Sequence, residues 1–318
     1  MVKFQREDIH ILARHTTLNK EEVKGLLKLN VYNDKPAWQQ FLSYLFLNLG
    51  VGFVAAGIVF FFAYNWADLH KFMKIGLIEV LIITTTCLVL MPMIGRILRS
   101  VILTGTSVLV GVLFAVFGQI YQTGANAYDL FFAWTLCITL WAVVANFAPL
   151  WLLFLVLINT TLVLYSQQVV RSWSAVYLLT LLFSVNIGLL LCFLLIGNIR
   201  AASKMPRWFI KTLALASAIL ATLGIAIGIF EEQGPAFLVL LLMTIAAFVM
   251  GAWHGLRIKS AFYPGLIVLC VVVIIAAFLL NLSDGAAMFL LVGLFIVSSV
   301  TLSIRKLIDM QKEWADAN

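Results

Sequence analysis

Ten apolar stretches of close to twenty residues follow one another between Leu45 and Ile304, separated by short polar turns. A hydrocarbon layer about 30 Å thick is crossed by roughly 20 helical residues, at a rise of about 1.5 Å each. The stretches therefore predict membrane spans at Leu45–Tyr64, Phe72–Met93, Leu98–Gly118, Leu130–Phe147 and Leu150–Tyr165. Five more follow at Trp173–Ile196, Trp208–Phe230, Ala236–His254, Phe262–Leu280 and Ala286–Ile304. Backbone groups in lipid must be satisfied internally, so such a chain is an all-α, polytopic membrane helix bundle. The fourth and fifth stretches are short and joined through Asn146-Phe147-Ala148-Pro149. They can also be drawn as a re-entrant hairpin, leaving eight full spans and the same sidedness. Composition closes off the other classes. Only 11% of the residues are charged and 63% are apolar, against roughly 25% charged in a soluble domain, and the chain is too apolar for disorder.

The charges set the orientation. With the N-terminus inside, eighteen of the 21 Lys and Arg fall on the cytoplasmic side, and only Lys71, Lys74 and Arg171 fall outside. The outer turns instead collect Asp68, Asp129, Glu231, Glu232 and Asp284. The positive-inside rule then places both termini in the cytoplasm. A net charge of +7 spread over several short loops follows that rule rather than a nucleic-acid footprint, so no nucleic-acid partner is expected.

Residues 1–40 read as a cytosolic amphipathic helical lead, 41–304 as the membrane bundle and 305–318 as a cytosolic tail. The lead has no positively charged segment running straight into a short apolar core, so the first span is expected to act as an uncleaved anchor. Asn19-Lys20-Glu21-Glu22 sets a capping Asn three residues before a Glu, with Val23, Leu26, Leu27 and Asn30 at helical spacing. This predicts a helix from about Lys20 to Leu29; a second can be drawn from Arg6 to Arg14.

Few residues offer chemistry. Cys87, Cys137, Cys192 and Cys270 lie singly in apolar runs, which suggests neither a disulfide framework nor a zinc site. His10, His15, His70 and His254 stand away from span centres, so no haem ligation across the bundle is expected. No metal, cofactor or catalytic constellation is predicted, and the outer loops are too short for an external catalytic domain. The six prolines fall at span ends, unlike the broken helices of many transporters.

Glu79 is the one ionisable side chain well inside a span. A carboxylate at membrane depth costs on the order of 2.5–3.5 kcal/mol at mid-span and marks a functional candidate. A second candidate is the outer connection Gly118-Gln119-Ile120-Tyr121-Gln122-Thr123-Gly124-Ala125-Asn126-Ala127-Tyr128-Asp129. Its Gln119, Tyr121, Gln122, Thr123 and Asp129 can line a vestibule, with Gly124 at the turn, or form an interfacial cap over helix ends. Asn65, between Tyr64 and Trp66, sits at the outer end of the first span, where the two aromatics read as interface anchors. Gly224-x-x-x-Gly228, Gly111-x-x-x-Ala115 and Gly52-x-x-x-Ala56 are close-approach motifs for helix packing.

Three segments together carry a family resemblance: Ala37-Trp38-Gln39-Gln40-Phe41-Leu42, then Phe61-Phe62-Ala63-Tyr64-Asn65-Trp66, then Gly118 to Gly124 followed by Asp129 and Trp134. Over roughly residues 10–150 the chain resembles the bacterial predicted membrane proteins grouped as domain of unknown function 2157. The resemblance implies a short cytosolic lead before a multi-helix region in the bacterial inner membrane. It also implies a second membrane protein as partner, since some members are accompanied by one with a Gly-Asp-Tyr signature, absent from this chain. It carries no reaction and no catalytic residues.

Two functions remain on these grounds. One is a non-enzymatic, envelope-associated component or scaffold acting in the bilayer with a membrane partner. The other is a proton-coupled small-molecule transporter, like drug/metabolite exporters in helix count, with Glu79 as the coupling acid. An intramembrane enzyme ranks last, for want of a nucleophile–base pair.

Overall fold

A computed structural model describes residues 19–30, 35–64, 70–121, 124–199, 205–231, 234–283 and 285–316. Eleven α-helices run along them: α1 (Lys20–Asn30), α2 (Lys35–Tyr64), α3 (Lys71–Leu90), α4 (Arg96–Tyr121), α5 (Ala127–Ala145) and α6 (Ala148–Tyr165). A π turn, Ser166–Val170, prolongs α6; then come α7 (Ala175–Ile199), α8 (Arg207–Phe230), α9 (Pro235–Arg257), α10 (Phe262–Leu282) and α11 (Ala286–Asp316). No strand occurs among the described residues. The ten helices α2–α11 are long and apolar enough to cross a membrane, one for each expected span.

The helix ends follow local chemistry. At the start of α1 the Asn19 N–H donates to Glu22 Oε2 at 2.8 Å, the capping contact its spacing predicts. The segment 6–14 lies outside the described residues. α2 starts at Lys35 rather than Leu45, because Pro36 is harmless in a first turn that lacks intrahelical donors. α3 stops at Leu90 rather than Met93, since Met91 precedes Pro92 and is held extended (φ −67°, ψ 129°). α11 continues past Ile304 to Asp316 on good helix formers. With 19 residues in α5 and 23 in α6 plus its π turn, the fourth and fifth spans have full crossing length.

The chain forms two compact units, Met1–Leu109 and Val110–Asn318. In the first, Thr106 Oγ1 donates to Thr85 Oγ1 at 2.9 Å, tying α4 to α3. Gly105 leaves room for Val51. Gly52, expected to serve close packing, faces open space instead. The room for contact between these two helices is thus made by the glycine on α4, not by Gly52 on α2.

In the second unit α8 is the central helix, packed by α7, α9 and α10, with α11 lying on α10 and the α5–α6 pair reached through α7. Small residues explain its place. Ala214, Ser217, Ala218, Ala221, Gly224 and Gly228 are among its buried positions. A methyl group at Gly224 would run into Leu240, and one at Gly228 into the Phe237 ring, so the expected motif does bring helices together. Gly111 likewise admits the Trp134 indole. Two buried hydroxyls of α8 bond back to their own helix, Ser217 to Leu213 O at 2.8 Å and Thr222 to Ala218 O at 2.7 Å, which satisfies them without a polar neighbour.

The two ends of this unit differ. At one, Tyr128, Tyr165, Trp173 and Tyr177 form a chain of ring contacts 5.1–5.7 Å between centroids. The other gathers Phe193 and Phe209, and beyond them Arg207, Lys211, His254 and Lys259.

Candidate functional site

The polar connection between α4 and α5 forms a cleft of about 540 Å³ in the second unit, lined in part by Gln119, Gly124, Asn126 and Asp129. Gly124 has φ +67°, a left-handed conformation that a residue with a Cβ adopts only under strain, and this lets the chain turn into α5. Asp129, three residues into the helix start, accepts the Asn126 N–H at 3.1 Å. Its carboxylate also sits where the helix dipole is positive. Tyr121 closes the last turn of α4 and lies against Phe117, with ring centroids 4.6 Å apart. Gln122 and Thr123 fall outside the described residues, as do Asn65, Trp66 and Asp68.

A further group completes this rim. Gln168, in the π turn after α6, accepts the Tyr128 N–H through Oε1 at 3.1 Å. Two of the donors left open at the start of α5 are thereby satisfied, one by Asp129 and one by a side chain forty positions away. The π turn presents Gln168 and ends at Arg171 (φ +52°), whose N–H bonds back to Ser166 O at 2.9 Å. No sequence signal marks this pairing.

Glu79 lies on α3, in the first unit. Eight residues, about 12 Å, separate it from the start of its helix at Lys71. Its side chain is exposed, beside Val80 and Ile83 on an otherwise apolar face. It is not among the residues lining the unit's 350 Å³ cavity, whose polar members are Thr85 and Thr106. Among the described residues no group of three His, Cys, Asp or Glu could hold a metal ion.

Ten crossing-length helices with apolar outer faces define a polytopic helical membrane protein. Residues 12–151 match the model of the family described as "Predicted membrane protein (DUF2157)", the family that the motifs at Ala37–Leu42, Phe61–Trp66 and Gly118–Gly124 resemble. No curated protein and no solved structure matches the chain.

Proposed function

We propose that the protein is a non-enzymatic component of the bacterial inner membrane that works with a second integral membrane protein, seated on the Glu79 face of α3. The supporting observation is Glu79 itself: an exposed carboxyl group, with no hydrogen bond or ion pair among the described residues, on a face formed with Val80 and Ile83. Lipid leaves such a group uncompensated, whereas a neighbouring span carrying a Lys, Arg or amide at that depth satisfies it. The proton-coupled transporter draws less support, since coupling asks for an acid facing an internal route and Glu79 is not on the cavity beside it.

The test is a photo-reactive residue at Val80 or Ile83, activated in intact membranes. One integral membrane protein should be cross-linked, and Glu79→Leu should abolish the adduct at unchanged abundance while Glu79→Gln keeps part of it. Adducts to lipid alone, or adducts indifferent to Glu79→Leu, would overturn the reading. Proton-linked flux in reconstituted vesicles that disappears with Glu79→Gln would replace it by the transporter.

A further inference from the structure

Between α2, α3 and α4 the first unit encloses the cavity of about 350 Å³. On α2 its wall runs from Phe46 to Ile58, twelve residues or about 18 Å, a little more than half of a 30 Å hydrocarbon layer. Protein interiors are close-packed, and an empty space of this size is costly. Water does not fill it. The protons of its two polar members are committed, Thr106 Oγ1 donating to Thr85 Oγ1 at 2.9 Å and Thr85 Oγ1 to Leu81 O at 2.8 Å. The rest of the wall is hydrocarbon and glycine, so a water molecule there lacks the several polar partners it needs.

A hydrocarbon chain fits instead. An engineered apolar cavity of about 150 Å³ takes up one benzene, about 25 Å³ for each carbon, and at that packing 350 Å³ holds roughly fourteen carbons. The length of the wall is that of a chain belonging to one leaflet. Gly50 lines the cavity, and a Cβ added to it meets nothing within 4 Å, so the space reaches the backbone of α2 itself.

One end of the cavity approaches charge. Thr85 lies five residues from the end of α3 at Leu90 and Ile102 six from the start of α4 at Arg96, about 8 and 9 Å. Arg99 stands one turn before Ile102, on the face of α4 that continues through Ile102, Thr106 and Leu109 along the cavity. Its Nη2 donates to Met91 O at 3.3 Å, just past the end of α3, while its Nε is enclosed with no acceptor among the described residues. Arg96, exposed, lies a further turn down the same face. A guanidinium suits the geometry of a phosphate, and a phosphate oxygen beside Arg99 supplies the acceptor that its Nε lacks.

We propose that the first unit binds an anionic phospholipid of the cytoplasmic leaflet, one acyl chain lying between α2, α3 and α4 and the phosphate held by Arg99 and Arg96. Basic sites between spans on the cytoplasmic side recognise anionic headgroups by this chemistry. The lipid then serves as packing between α2 and its neighbours. Glu79 does not line the cavity, so the site is independent of it.

The test uses the full chain in mild detergent, with lipid binding read by native mass spectrometry and by the shift in melting temperature. Phosphatidylglycerol should bind and raise the melting temperature more than phosphatidylcholine or diacylglycerol, and inorganic phosphate should not raise it. Gly50→Leu fills the cavity and should abolish binding. Gly52→Leu should leave it unchanged, because Gly52 also meets open space but is not on the cavity wall. Ala55→Phe, a second plug on the same wall, keeps the test open where Gly50→Leu fails to fold. Arg99→Gln should weaken phosphatidylglycerol binding roughly fivefold, and Arg99→Lys should retain most of it. Binding indifferent to both plugs, or lost equally with Gly52→Leu, would overturn the site. Equal binding of phosphatidylcholine, equal losses from Arg99→Lys and Arg99→Gln, or equal stabilisation by inorganic phosphate would overturn the anionic lipid.

Discussion

Asn159 on α6 and Asn186 on α7 join their carboxamides across the core of the second unit, Asn186 Nδ2 donating to Asn159 Oδ1 at 2.8 Å and Asn159 Nδ2 returning a longer bond at 3.4 Å. Asn186 also donates to Leu182 O at 2.8 Å and is 2% exposed. Both stand eleven residues, about 17 Å, from the first residue of their helices, near the middle of each crossing. Amide pairs at that depth hold helices together, since the alternative is a polar group in hydrocarbon.

Asn186→Leu should lower stability by about 1–2 kcal/mol, because it removes the bridge and leaves the Asn159 amide without its partner. Asn159→Leu together with Asn186→Leu should recover part of that loss, since no orphaned amide remains. Reversible unfolding in mixed micelles measures both. Additive losses would show that the two side chains act separately.

At the α4–α5 rim the bonds of Asp129 and Gln168 are those of helix capping. Asp129→Ala should cost about 1 kcal/mol, the usual loss on removing a side chain that satisfies a helix N-terminus. Gln168→Leu should act in the same direction by freeing the Tyr128 N–H. Thermal unfolding of the purified variants checks this. A loss of function in Asp129→Ala at wild-type stability would instead give the 540 Å³ cleft, which Asp129 lines, a ligand to hold.

The membrane spans are legible in the sequence because hydropathy is a property of each segment alone. So is the Asn19–Glu22 cap, whose partners lie within one turn. The ends of α2 and α11 are less so, because apolarity marks where lipid begins and not where a helix stops, and both run on through polar residues. The contacts that matter most at the sites are set by how helices rotate against one another. Asn159 and Asn186 are 27 residues apart and Tyr128 and Gln168 are 40, and no periodicity pairs them. Arg207, Lys211 and Lys259 read in the sequence only as topological charge. They become a cavity wall because α8 begins beside the turn that follows α9.

Orientation rests on the same charges and has a direct test. In a chain with its four native cysteines replaced, Ser172→Cys and Glu231→Cys should react with an impermeant maleimide in cells whose outer membrane alone is opened. Met93→Cys and Lys306→Cys should react only after the inner membrane is permeabilised. All four positions are exposed, so a failure to label reports the barrier and not burial. The reverse pattern would turn the bundle over and put the basic cavity in the outer leaflet. Phe147→Cys, in the turn between α5 and α6, separates the two drawings of that hairpin. Full-length crossings bring it to the cytoplasmic surface and make it reactive with Met93→Cys. A re-entrant hairpin leaves it within the hydrocarbon, where the thiol meets no water and labels from neither side.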